Sequence, residues 1–101
     1  MNQIMTRDQA IEILRRHQGE FERAGVRHLY LFGSVARDES HAQSDVDLFF
    51  DYDRGRLGLF ALMEVKELAS NILGHRADIM TRDSVHPVLR AGIEAEAAQV
   101  F

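Results

Sequence analysis

GSVARDESHAQSDVD, Gly33 to Asp47, places a Gly-Ser pair at the exit of an apolar run and, after ten intervening residues, Asp-Val-Asp at the entry of the next. Each part has its own physical use. Glycine has no Cβ, so a phosphate can approach the backbone at Gly33, and Ser34 offers a hydroxyl and an amide. Strand side chains alternate between faces. Asp45 and Asp47 therefore point the same way, with Cα atoms roughly 6.5 to 7 Å apart, while Val46 points into the opposite, packed face. Mg²⁺ favours carboxylate, water and phosphate oxygens, and two such ions roughly 3.5 to 4 Å apart can clamp attacking and leaving oxygens together. The segment thus pairs a holder for a triphosphate with a platform for metal.

Upstream, Val26 to Phe32 (VRHLYLF) has the β-branched, aromatic and aliphatic content of a buried strand. Before it, Thr6 with Gln9 forms a capping box that opens a helix running to about Ala24, with Ile11, Leu14, Phe21 and Ala24 on one face and Gly25 as the stop. Val35 to Asp38 is short enough for one helical turn, and Glu39 to Ser44 reads as a polar loop. Downstream of the second strand, Asp45 to Asp51, the segment Arg54 to Gly58 reads as a connection. Leu59 to Leu73 then has helical spacing through Leu62, Val65, Ala69 and Ile72, ending at Gly74. Ala77 to Thr81 alternates as a third strand. Val88 to Gln99 is a last helix with Pro87 near its first turn. The expected order is α-β-β-α-β-α, an α/β (α+β) chain with no repeat or linker.

The third strand contains one acidic residue, Asp78. Beside the pair it can ligate the catalytic metal and help deprotonate an acceptor hydroxyl. Arg37, one helical turn past Ser34, is a candidate for the phosphates, with a solvated or partner-facing role as its alternative. Asp51 and Asp53 repeat the spacing, but Asp51 lies roughly 13 Å beyond Asp47 along an extended strand, too far for the same ion. The histidines at 17, 28, 41, 75 and 86 show no paired ligand spacing. His28 is expected to pack on the first strand and His41 to lie in the loop, while Glu94 and Glu96 read as a solvated helix face. Val100 and Phe101 either pack on the core or meet a partner.

At 101 residues and 46% apolar content the chain suffices for one core, so residues 1–101 are expected to form a single domain. Sixteen acidic residues against twelve Lys and Arg give a formal charge of -4. That gives no general attraction to nucleic acid or anionic lipid. There is no cysteine, which removes disulfides and thiolate chemistry. The N-terminal residues lack a basic and an apolar region, and no run approaches membrane-spanning length, so the chain is expected to be soluble and cytoplasmic.

The GS, ten residues, DxD pattern resembles the minimal nucleotidyltransferases of the DNA polymerase beta superfamily. The helix before the first strand, the long helix after the second, Asp78 and the closing helix with Pro87 also sit where that family would place them. The resemblance implies a small mixed sheet of about three to four strands flanked by helices. It implies Gly33 and Ser34 at a triphosphate, and Asp45, Asp47 and Asp78 at Mg²⁺, two ions, with ATP as donor. Members of this length resemble the antitoxin partner of a HEPN-domain ribonuclease toxin, silenced by attachment of AMP to a tyrosine. A non-catalytic antitoxin acting by stoichiometric contact is the alternative. Transfer to a small molecule such as an aminoglycoside fits less well, because such enzymes carry an additional helical domain. One departure stands out: the family commonly has Gly after the Arg of the short helix, whereas Asp38 follows Arg37. That puts extra negative charge near the expected triphosphate unless Asp38 points away or pairs with Arg37. The acceptor, the base and the oligomeric state, homo- or hetero-, are left open.

Overall fold

Four strands form one mixed sheet, in the order β3-β2-β1-β4. The computed structural model describes residues 4–41, 45–53, 55 and 58–101. Of the expected loop 39–44, residues 42–44 lie outside the described residues, as do 54, 56 and 57 of the expected connection 54–58. Along the chain come α1 (Arg7–Arg16), α2 (Gln18–Arg23), β1 (Val26–Phe32), α3 (Gly33–Ala36) and β2 (Val46–Tyr52). They are followed by α4 (Leu59–Leu73), β3 (Ala77–Thr81), a 3₁₀ turn (Arg82–Ser84), α5 (Pro87–Glu96) and β4 (Ala98–Gln99). β1 runs antiparallel to β2 and β4, and β3 runs parallel to β2. The parallel pairing needs a crossover, and α4 supplies it. Among the described residues no helix is long and apolar enough to cross a membrane.

The expected capping box is present: the Gln9 amide donates to the Thr6 hydroxyl at 3.2 Å, and the Thr6 amide donates to the Gln9 side chain at 3.1 Å. The helix it opens is not continuous to Ala24, however. The His17 amide bonds to the Leu14 carbonyl three residues back, tightening the turn, and Gly19 weakens the helical preference of the next turn. The anticipated apolar face survives the break, with Leu14 and Phe21 fully buried. α4 and β3 have their expected bounds. Gly74 caps α4 in the left-handed region at φ 66°, which only glycine adopts without strain.

The larger correction is at the end of the chain, where α5 stops at Glu96 instead of reaching Gln99. Ala97 is extended, and β4 pairs along the free edge of β1, with the Val100 amide donating to the Leu29 carbonyl at 2.8 Å. Pairing satisfies backbone groups on the β1 edge and buries Val100, which a continued helix would not achieve. Phe101 packs its ring 6.2 Å from that of Phe21.

The two sheet faces are covered unequally. Leu29, Leu31, Val46, Leu48, Phe50, Ala77 and Ile79 face α1, α2 and α4 and form the main core. Phe32 and Phe49, with Tyr30 and Met80, face the other way and meet Val85, Ile93 and Ala97. His28 shares this second face but is exposed, contrary to the packing expected of it. α5 buries no residue completely, so this face is only partly roofed. Arg82 fastens the roof to the sheet. Its guanidinium donates to both Asp51 oxygens at 2.7 and 3.1 Å and pairs with Glu94 at 3.3 Å, so Glu94 is not simply solvated. It also lies 4.8 Å from the Tyr30 ring centroid and 5.1 Å from that of Phe49. These partners hold the guanidinium charged. Arg82→Ala leaves Asp51 and Glu94 unpaired and is expected to lower stability by about 1–3 kcal/mol, with Arg82→Lys restoring only part, as read by thermal or urea unfolding.

Candidate active site

The uncovered end of the second face lies where β1 gives way to α3. Antiparallel pairing sets Phe32, the last residue of β1, opposite Asp47. Parallel pairing sets Asp47 beside Asp78, and Asp45 lies just before β2 on the same alternation. The three aspartates and the Gly33-Ser34 turn are thereby brought to one end of one face. Asp45 and Asp47 are half-buried and Asp78 is exposed.

Gly33 is explained by its neighbour. Its φ is +76°, and a Cβ built there would stand 2.2 Å from Asp47 Oδ2 and 3.0 Å from Asp47 Cγ. The missing side chain makes room for the Asp47 carboxylate. Ser34 comes next, at the start of α3, and is half-buried.

Asp47 is an uncomfortable anion. Its carboxyl is pushed up to about 6, first by burial and then by repulsion from Asp78 and Asp45, with Arg37 opposing and Glu96 adding to the effect. A folded-state value above the unfolded one means that the group favours folding most when protonated. Its contribution is therefore fullest below about pH 4 and declines as pH rises through about 6. After solvent screening the loss is about 1 kcal/mol. In chelator-containing buffer, the melting temperature of the wild type is expected to fall across pH 4 to 7 relative to that of Asp47→Asn. Parallel profiles would contradict this.

The donor chemistry suits a hard divalent cation such as Mg²⁺, with several carboxylate oxygens, strong mutual repulsion, and a glycine that gives one of them room. Among the described residues, no three Asp, Glu, His or Cys side chains close into a ready-made metal cage.

Arg37 is not simply solvated. It donates to Glu39 at 3.0 Å and through Nη1 to both Glu96 oxygens at 3.1 Å, and these carboxylates raise its affinity for its proton. Glu96, expected on a solvated face, also accepts from the Gly33 amide at 3.3 Å. No local spacing announces that role, because only the unexpected β4 brings the end of α5 beside Gly33. Arg82 carries a usable signal in sequence. It continues the alternation Asp78, Met80 one step beyond β3.

Of the two expectations for Asp38, the structure gives the first: its carboxylate is turned to α1 and does not pair with Arg37. Asp38 has φ +55°, a left-handed position that suits glycine and that Asp tolerates better than most residues. Its Oδ1 accepts from the Arg7 amide at 2.8 Å, so the carboxylate is committed to the first turn of α1 and not to Arg37.

Residues 8–100 match the profile of the nucleotidyltransferase domain family. A candidate protein adenylyltransferase of Methanocaldococcus jannaschii is 36% identical over 87 residues, spanning 84% of this chain and 88% of that relative. The solved structure of a candidate minimal nucleotidyltransferase superposes with a TM-score of 0.72 at 33% identity, covering 87% of this chain and 93% of the other. A chain of a Shewanella oneidensis complex between an MNT antitoxin and a tri-AMPylated HEPN toxin has the same fold. Its TM-score is 0.64 at 17% identity, over 90% of this chain and 71% of that one.

Proposed function

Because the chain belongs to the nucleotidyltransferase domain family, we propose that it transfers AMP from ATP to a tyrosine hydroxyl of a HEPN ribonuclease toxin, as the toxin's cytoplasmic antitoxin. The observation that carries this reading is the convergence of Asp45, Asp47 and Asp78 at the Gly33-Ser34 turn. Residues 1–101 act as one domain. Gly33, Ser34 and Arg37 hold the triphosphate tail, and the three aspartates hold two Mg²⁺. Bound Mg²⁺ supplies charge neutralisation for the phosphates and for the leaving pyrophosphate.

The acceptor oxygen attacks the α-phosphorus in line, and its bond to phosphorus forms as the bond to the bridging oxygen of the β-phosphate breaks. Pyrophosphate departs with that electron pair, and the hydroxyl proton passes to Asp78 and then to solvent. The protein's contribution is positioning and electrostatic complementarity. Support for a protein acceptor comes from the relatives, one described as a protein adenylyltransferase and one seen with a modified toxin. The non-catalytic alternative draws on the charge of Asp38, and that carboxylate accepts from the Arg7 backbone amide at the start of α1.

The test is incubation with a folded HEPN partner, ATP labelled at the α-phosphate, and Mg²⁺. Label should appear on a partner tyrosine, and chelator should prevent it. Silencing of the toxin without label would favour stoichiometric contact.

A further inference from the structure

We propose that Glu96 is an internal competitor of the nucleotide, a carboxylate seated on the Gly33 and Arg37 groups assigned to the triphosphate, which ATP must displace to bind. The proposal rests on that assignment. Glu96 takes the Gly33 amide at 3.3 Å and engages Arg37 Nη1 with both oxygens at 3.1 Å. A carboxylate and a phosphate present the same chemistry to such donors, namely anionic oxygens accepting charge-assisted hydrogen bonds. One set of N–H groups cannot fully serve both.

The seat is built by the fold. Glu96 ends α5, Ala97 turns the chain extended, and β4 pairs with Tyr30 and Leu31, fixing the base of the Glu96 side chain beside the exit of β1. The side chain itself is a third exposed, which leaves it free to swing outward. When it does so, Arg37 keeps Glu39 as a second anchor and turns one face to the incoming anion. Glu96 also adds its charge to a site that already repels anions through Asp45, Asp47 and Asp78. Its departure relieves a like-charge contact as well as freeing donors. Glu96 thus sets nucleotide affinity without touching the reacting atoms.

Titration of ATP in the presence of Mg²⁺, followed by calorimetry, tests this. Glu96→Ala removes occupancy and charge and should tighten binding by about three- to tenfold, the range expected for an exposed charged pair plus one relieved repulsion. Glu96→Gln keeps the shape, can still accept from Gly33, and should tighten binding less. In an Arg37→Ala background the gain from Glu96→Ala should shrink, since one of the contested donors is gone. A residue that only braced the fold would weaken binding on removal. Unchanged or weaker ATP binding by both folded Glu96 variants, with the wild type binding, overturns this proposal and leaves the transferase reading intact. If no variant and no wild type binds ATP, both fall. Binding by the variants alone supports both.

Discussion

Asp47→Asn is expected to lower nucleotidyl transfer by about a thousandfold or more while raising the melting temperature of the metal-free protein. The two effects have one source. Asp47 stands between its cross-strand neighbour Asp78 and the adjacent Asp45, and its carboxyl is pushed up to about 6 by burial and like charge. An ionised Asp47 destabilises the chain by itself, and its charge becomes favourable only when a cation shares the site. Asparagine keeps the shape and removes the charge. It should therefore relieve strain at neutral pH, by about 1 kcal/mol or a few degrees. The same change withdraws a ligand on which transition-state charge neutralisation depends, and a thousandfold loss corresponds to about 4 kcal/mol. Single-turnover labelling and thermal unfolding in chelator check the two halves. Retained transfer would refute the metal platform, and a lower melting temperature would refute the electrostatic account of Asp47.

Gly33→Ala is expected to cost activity far more than stability. The new Cβ falls 2.2 Å from Asp47 Oδ2, on a residue held at φ +76°, so the Asp47 side chain must rotate away. Aspartate is short but free to turn, which limits the folding cost to about 1–3 kcal/mol, including the backbone term. The carboxylate, however, leaves the position it holds beside Asp78. Transfer should fall by about a hundredfold or more, because a misplaced ligand of about 1 Å already has effects of that size. In an Asp47→Ala background, where only the Cβ contact at 3.2 Å remains, the same glycine substitution should cost less, about 1 kcal/mol and mainly the backbone term. Additive stability losses in that cycle would show that the glycine serves the turn alone.

The strands and the long helix are legible in sequence because their signals are local. Val26 to Phe32 is apolar at five of its seven positions, Ala77 to Thr81 alternates, and Gly74 marks the end of α4 by its left-handed backbone. Asp45, Asp47 and Asp78 can be brought to one face by alternation plus a neighbouring strand, and the observed register agrees with that reading. The hidden features depend on contacts between distant segments. A two-residue strand of Ala and Gln has no pattern of its own, so β4 exists only because the edge of β1 is open to it. Without β4, Glu96 reads as solvated. Alternation past Met80 puts Arg82 on the second face, but its partners, Asp51 and Glu94, lie on two other elements and no local spacing announces them. The break at His17 reflects one tightened turn, which apolar spacing does not register.

The parallel pairing of β2 with β3 bears on how the site comes into being. β1 and β2 are joined through α3 and the segment after it and can zip as a hairpin, but Asp78 reaches Asp47 only after α4 has crossed the sheet and docked. Closing that longer loop carries the greater entropic cost, so it belongs late in the order of assembly. The repulsion between Asp78 and Asp47 is thus deferred until the core beneath them is already in place. The hairpin alone would hold Asp45 and Asp47 without Asp78, so the three-aspartate cluster is complete only in the finished fold.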